Sequence, residues 1–161
     1  MGITIGPVDW WLETPEGIDS LAISCPIGTV LPDGSTTICK AGGVAWIVAP
    51  ATTQVSATWN GTTTELVGDK CCVCDWSSLC SAMVSAGFNP GDWFVPSLSQ
   101  LQNPGYVCRT NWDSFSPITF YWSSTEFDAT TACLVTCCNG NANISGKTVT
   151  GCVRAFRCVT Y

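Results

Sequence analysis

The chain contains no histidine and few charged residues. Of its 161 residues only 11% are charged, and twelve acids against six lysines and arginines give a net charge of −6. Without histidine, a serine or cysteine nucleophile would need Asp, Glu or Lys as its base, and neither a Ser-x-x-Lys nor a Gly-x-Ser-x-Gly motif occurs. A basic cluster able to hold a phosphate backbone is also lacking. The sequence therefore predicts a protein that is not an enzyme and that binds no nucleic acid.

Long apolar runs and targeting motifs are missing as well. No run approaches the roughly 18 apolar residues of a membrane span, so we predict no membrane insertion. The N-terminal residues lack the basic and apolar regions of a signal peptide, and Gly6 occupies the position where a myristoylation motif needs Ser or Thr. Two histories remain open: a mature secreted chain to which Met1 was added, or a virion protein released by cell lysis.

Cysteine, in contrast, is abundant. The count is even and the residues are spread along the chain, which is typical of a disulfide framework in an oxidising environment. We therefore predict disulfide bonds among Cys25, Cys39, Cys71, Cys72, Cys74, Cys80, Cys108, Cys133, Cys137, Cys138, Cys152 and Cys158.

Two details of the cysteine pattern bear on that prediction. On predicted strands, Cys152 and Cys158 share one face, as do Cys133 and Cys137, so at least one bond between the two groups is expected. A zinc site is the alternative, because four thiolates can hold the metal without histidine; its ligands would be Cys71, Cys74, Cys80 and either Cys137 or Cys138. The disulfide interpretation is favoured, and no metal or other cofactor is predicted.

The first 24 residues differ in character from the rest. They hold four acids and the pair Trp10-Trp11 but no cysteine. We interpret residues 1–24 as an N-terminal arm or docking segment and residues 25–161 as one disulfide-stapled domain. Trp10 and Trp11 either dock on a partner or fold back onto the domain, since tryptophan is common in both settings.

Local patterns predict more strand than helix, in an α+β fold with mixed or antiparallel strands. Apolar residues at helical spacing predict a main helix over about 75–86, capped by Asp75 and stopped by Gly87. Ser97 is expected to cap a short second helix over about 97–103, ended by Pro104. Strands are predicted at Val44–Val48, at 118–122, at 132–138, at 152–160 and on both sides of an Asn60-Gly61 hairpin turn.

Three segments match one pattern in order along the chain: Ala41 to Trp46 (Ala-Gly-Gly-Val-Ala-Trp), Gly91 to Ser97 (Gly-Asp-Trp-Phe-Val-Pro-Ser) with Leu98 and Leu101, and Tyr121 to Glu126 (Tyr-Trp-Ser-Ser-Thr-Glu). The chain thereby resembles, over roughly residues 38–158, the C-terminal domain family of collagen-like bacterial adhesins, the Lcl C-terminal family. Phe94 and Val95 depart from the Arg and Leu of that family. The resemblance implies a C-type-lectin-like fold, which is also found in variable receptor-binding proteins of phages.

Within these motifs, five residues have two interpretations. The aromatic and hydroxyl side chains either pack in the core, which we favour, or line a glycan-binding surface; they are Trp93, Tyr121, Trp122, Ser123 and Ser124. On the last predicted strand, Arg154 and Arg157 should face opposite sides, and at least one should meet a buried acid such as Glu126 or Asp92.

Together these features predict a structural or binding protein located in a phage virion, as a tail fibre, tail tip or capsid decoration. Its expected partners are other virion proteins or further copies of itself, and a host-surface glycan. The alternative is a secreted, extracellular bacterial adhesin domain that binds polysaccharide or glycosaminoglycan. The acidic balance argues against a polyanionic ligand, which would favour a basic surface.

Overall fold

The computed structural model describes residues 14–60, 65–113 and 120–161. Within these ranges the chain is α+β with more strand than helix, as predicted. The helices are α1 (Pro15–Ser24), α2 (Ser77–Ser85) and the short α3 (Leu98–Gln100). The strands are β1 (Thr36–Ala41), β2 (Val44–Val48), β3 (Val55–Thr58), β4 (Phe120–Glu126), β5 (Thr131–Thr136), β6 (Ala142–Gly146), β7 (Thr150–Val153) and β8 (Phe156–Thr160).

The strands form two sheets. A three-stranded antiparallel sheet has the order β1-β2-β8, and a five-stranded sheet has the order β3-β7-β4-β5-β6. In the larger sheet β4 and β7 are parallel, with Tyr121 opposite Cys152, and the other pairs are antiparallel. None of the helices in the described ranges is long and apolar enough to cross a membrane.

The single strand predicted over residues 152–160 is wrong. β7 ends at Val153 and pairs with β3, whereas β8 begins at Phe156 and pairs with β2 in the other sheet. The connection passes between the sheets, where the Ala155 carbonyl accepts a hydrogen bond from the Ala49 amide at 3.0 Å. Cys152 and Cys158 therefore belong to different sheets and do not share one strand face.

Helix α1 belongs to the packed domain. Thr14 caps it by accepting a hydrogen bond from the Gly17 amide, and Ile18 and Ala22 are buried in the core. The part of the predicted arm that the structure describes is thus a helix packed on the domain. Trp10 and Trp11 lie outside the described residues.

The two helices predicted from local pattern are confirmed. α2 buries Leu79 and Met83, and the chain leaves it at Gly87, whose φ of +88° suits glycine. Its cap position is Trp76, because Asp75 belongs to a preceding 3₁₀ turn. In α3, Ser97 and Gln100 form a capping box.

The end of the second helix also follows the prediction. Beyond Gln100 the chain forms a π-type turn over Leu101–Tyr106, which Asn103 interrupts with extended backbone just before Pro104.

The predicted hairpin is described only on one side. Its first strand is β3, which pairs with β7, and the Gly61 turn and Thr62 lie outside the described residues.

Two groups of buried side chains form the core. The first contains side chains from helices α1 and α2 and from both sheets, and it includes Trp59, Trp76, Trp93 and Trp122. The second lies around Phe156 and includes Ile38, Trp112 and Tyr121. Tryptophan from distant parts of the chain thus provides much of the buried apolar area.

Candidate functional site

The three motif segments come together in space. The Phe94 ring meets Trp46 edge to face, with centroids 6.3 Å apart, which joins the first motif to the second. The Pro96 carbonyl accepts from the Ser124 amide at 2.8 Å, and the Thr125 hydroxyl accepts from the Leu98 amide at 3.0 Å. The second motif is therefore held directly against the third by backbone hydrogen bonds.

The five residues considered for a glycan surface are all buried, with exposures between 0% and 6%; they are Trp93, Tyr121, Trp122, Ser123 and Ser124. Trp122 Nε1 donates to the Ala57 carbonyl at 3.2 Å, and Ser123 Oγ donates to the Cys133 carbonyl at 2.7 Å. Because a ring must expose a face to stack on a sugar, these side chains are placed for packing in the core, although Trp93 also borders an open cleft. Their positions correspond to the core interpretation that the sequence favoured.

A buried lysine, Lys147, makes hydrogen bonds to Glu126 of strand β4 and to the backbone at Glu65. Lys147 has no exposed side-chain surface, and its ammonium donates to Glu126 Oε2 at 2.6 Å and to the Glu65 carbonyl at 2.9 Å. Glu126 also accepts hydrogen bonds from the Val67 and Gly68 amides. The hydrogen bond from Lys147 and then that from the Val67 amide hold the pKa of Glu126 below its usual value. The partner of Glu126 is thus a lysine, and the expected arginine partner is wrong.

A second lysine packs on the same tryptophan. The Lys147 and Lys70 ammonium groups lie 5.1 and 5.3 Å from the centroid of the Trp59 ring, and Lys70 is also 4.6 Å from that of Trp76. Lys70 donates to the Trp59 carbonyl at 2.6 Å, and burial lowers its pKa. Sequence reasoning missed this cation and tryptophan cluster because its members are far apart in the chain and match no local pattern.

Both arginines of the last predicted strand have structural partners. Arg154 is 7% exposed and donates to the carbonyls of Ala49 and Trp112 at 2.8 and 3.1 Å. Arg157 pairs with Asp19 of helix α1 at 2.5 Å and lies over the Trp93 ring. Arg157 thus meets an acid, but the predicted buried partner is wrong, because Asp19 is partly exposed on the helix and is neither Glu126 nor Asp92.

Beside Arg154 lies a buried tyrosine. The Tyr121 hydroxyl contacts Gln54 Oε1 and Asp113 Oδ2. Burial, and then the hydrogen bond with Asp113, raise the pKa of Tyr121, so its proton is held firmly at neutral pH. This cluster connects β4 to the turn that precedes β3 and to the β7–β8 crossover, and it stabilises the junction of the two sheets.

All twelve cysteines lie in described parts of the chain, and each carries a free thiol. Cys74 Sγ is 3.3 Å from Cys80 Sγ. The ligands of the alternative zinc site do not assemble, because the described residues contain no group of three or more His, Cys, Asp or Glu side chains able to hold a metal ion. Cys74 and Cys80 are therefore close neighbours that belong to no metal-binding group among the described residues.

The surroundings of three thiols raise their pKa values. Burial, then Asp113 and Cys152, raise the pKa of Cys137 to about 12, and burial alone raises that of Cys158 to about 11. Burial, with Cys39 beside it, raises the pKa of Cys108 to about 11. A catalytic cysteine needs the opposite shift, because only the thiolate attacks. These cysteines are suited to structural roles.

An open cleft of about 320 Å³ lies between helix α1 and the end of α2. Phe88 and Trp93 line its apolar side, and their rings meet edge to face at 5.3 Å. Polar groups on its rim include Asp33, Asn89, Asp92 and Arg157. Aromatic walls with a few convergent polar groups are typical of small-ligand sites.

No protein-family model matches the chain, and no curated protein matches it either.

Proposed function

We propose that this chain is a non-enzymatic structural and binding component of a phage virion, in a tail fibre, tail tip or capsid decoration. The main support for the proposal is that several reactive side chains of the chain make contacts inside the domain. Lys147, Arg154 and Tyr121 are buried in hydrogen-bonded clusters, and burial raises the pKa of Cys137. A domain built in this way holds its shape and leaves recognition to its surface.

The fold assigned to it in this proposal is C-type-lectin-like. Support comes from the convergence of the three motif segments, which are joined through Trp46 and Phe94 and through Pro96 and Ser124. A shared fold does not by itself carry a function, so the virion role depends on its own test.

In the particle, the thiols are oxidised to disulfides. Support comes from the even count of twelve and from the close approach of Cys74 to Cys80. Cross-linking of this kind stabilises a protein mainly by restricting its unfolded state.

Contact with the host surface occurs, in this proposal, through the cleft bordered by Trp93 and Arg157. Asp92 and Asn89 on its rim are exposed and offer acceptors to the hydroxyl groups of a neutral glycan. With a net charge of −6, the domain favours neutral sugars over polyanions.

Mass spectrometry of purified phage particles tests the virion role. We expect the chain to be present in the particles, in an amount relative to the major virion proteins that stays constant through repeated density-gradient purification. Its absence from particles, together with a cleaved precursor in bacterial culture medium, would instead establish the adhesin alternative.

A glycan array tests the cleft. We expect wild-type protein to bind neutral glycans and Asp92→Ala to lose at least tenfold in affinity. Glu65→Ala removes the same charge at an exposed position outside the cleft and should bind as the wild type does. Equal binding by the two variants would exclude this cleft as the site.

A further inference from the structure

We infer that Cys74 and Cys80 form a disulfide bond when the protein is oxidised. Their sulfur atoms are 3.3 Å apart, in a chain where all twelve cysteines are described as thiols. A disulfide bond is about 2.05 Å long, so the two atoms must approach by roughly 1.2 Å more. Neither cysteine is buried, so their side chains have room to rotate toward each other.

A third thiol competes for Cys74. The Cys72 side chain also forms a hydrogen bond with the Cys74 thiol, so Cys72 is a second possible partner for Cys74. The backbone of Cys72 is held in a β-bridge with Phe94, and a bond to Cys74 would close a ring across a single residue. Cys80 lies six residues from Cys74 and on the first turns of helix α2, which allows a less constrained loop. The geometry therefore favours Cys80.

Bond formation requires an oxidant, which is a small-molecule disulfide such as oxidised glutathione. The exposed Cys74 thiolate attacks one sulfur of that disulfide and displaces one thiolate, giving a mixed disulfide. The Cys80 thiolate then attacks the Cys74 sulfur and displaces the second. The two protons from Cys74 and Cys80 end on the two small-molecule thiols, so the small-molecule disulfide is reduced as the protein is oxidised.

The bond would fasten the start of helix α2. Trp76 holds the cap position of this helix and makes no side-chain capping hydrogen bond. Trp76 lies between the two cysteines in the chain, is 2% exposed, and donates from Nε1 to the Lys70 carbonyl at 2.8 Å. A link from the preceding 3₁₀ turn to the helix therefore keeps this tryptophan against Trp59, whose ring centroid is 6.0 Å away. The inference concerns the isolated protein and does not depend on the virion role.

Peptide mapping of the full chain tests the pairing. Reduced protein is reoxidised with glutathione disulfide, and the remaining thiols are alkylated in denaturant. A protease that cleaves before aspartate then separates residues 69–74 from residues 75–91. We expect these two peptides to remain linked, with fragmentation placing the bond at Cys74, and to separate on reduction.

Two serine variants sharpen the result. Cys74→Ser should lose the link, whereas Cys72→Ser, its matched control in the same peptide, should keep it. The pairing is overturned if wild-type Cys80 is alkylated or linked elsewhere after oxidation, or if the link persists in Cys74→Ser. Because the wild-type map needs no substitution, a variant that fails to fold leaves the test intact.

Discussion

At the scale of single residues, the stability of this domain depends on a few buried charges that are fully engaged. Lys147 is 0% exposed and joins Glu126, the Glu65 carbonyl and the Trp59 ring. An ammonium group removed from water is tolerated only where such partners replace its hydration. The glutamate and the lysine therefore depend on each other.

Substitution of Lys147 by methionine keeps most of the side-chain volume and removes the charge. We expect the variant to lose about 3 kcal/mol of the free energy of unfolding, because Glu126 is left without its cation. Urea denaturation followed by circular dichroism measures the loss. The double variant Lys147→Met/Glu126→Gln should recover part of it, and no recovery would show that the cost lies in packing alone.

The same pair predicts how stability depends on pH. The pKa of Glu126 is lower in the folded state, so its contribution is complete above the unfolded pKa of about 4.3 and is lost as the pH falls through the folded value. Wild-type protein should therefore exceed Glu126→Gln in melting temperature at pH 7, and the difference should close in acid. A difference that stayed constant across thermal melts at falling pH would contradict this account.

At the scale of elements, strand β7 lies between β3 and β4, and this position requires glycine at residue 151. A Cβ atom on Gly151 would lie 2.2 Å from Phe120 Cε2 and 2.9 Å from Trp122 Nε1. The two rings meet edge to face with centroids 5.3 Å apart, so neither can move away freely. Glycine at this position lets the aromatic residues of β4 cover the strand.

We accordingly expect Gly151→Ala to lower the free energy of unfolding by about 1–3 kcal/mol through overpacking. Gly146→Ala on β6 is the matched control, since the nearest atom to its added Cβ is Val149 Cγ2 at 4.0 Å. Chemical denaturation of both variants provides the comparison. Equal stability of the two proteins would show that the Phe120 ring adapts at little cost.

The elements also differ in how far local sequence predicts them. Helix α2 follows from the spacing of Trp76, Leu79 and Met83 and from Gly87, because these signals act within a few residues. The division between β7 and β8 could not be predicted, since the run from Cys152 to Thr160 contains no glycine, proline or other typical turn residue. Which sheet each half joins depends on its partners, β3 and β2, about a hundred residues earlier.

At the scale of the whole molecule, the two ends of the described chain meet. Asp19 of helix α1 pairs with Arg157 of β8, and Lys40 donates to the Ile23 and Cys25 carbonyls at the helix end. Cysteines occur on both sheets and around helix α2. Cysteine oxidation could therefore affect either sheet or the start of helix α2.

Thiol counting in denaturant measures how far this oxidation goes. We expect protein isolated from its native source to show few of its twelve thiols free before reduction. Reduction of the first structural disulfide bond should then lower the free energy of unfolding by about 2–5 kcal/mol. Twelve free thiols before reduction would remove the basis for the disulfide framework.

The sequence alone was enough to predict the α+β class, helices α2 and α3 and the buried strand Val44–Val48, and it showed a chain with no histidine and few charged residues. These depend on composition, side-chain periodicity and caps, which act over one or two turns of chain. The folded contacts alone show that Glu126 meets Lys147 and that Arg157 meets Asp19, and they place Trp93 and Trp122 in the core, the interpretation that the sequence favoured. Such contacts join residues far apart in sequence, and they are fixed by strand register and by which face of each sheet is covered.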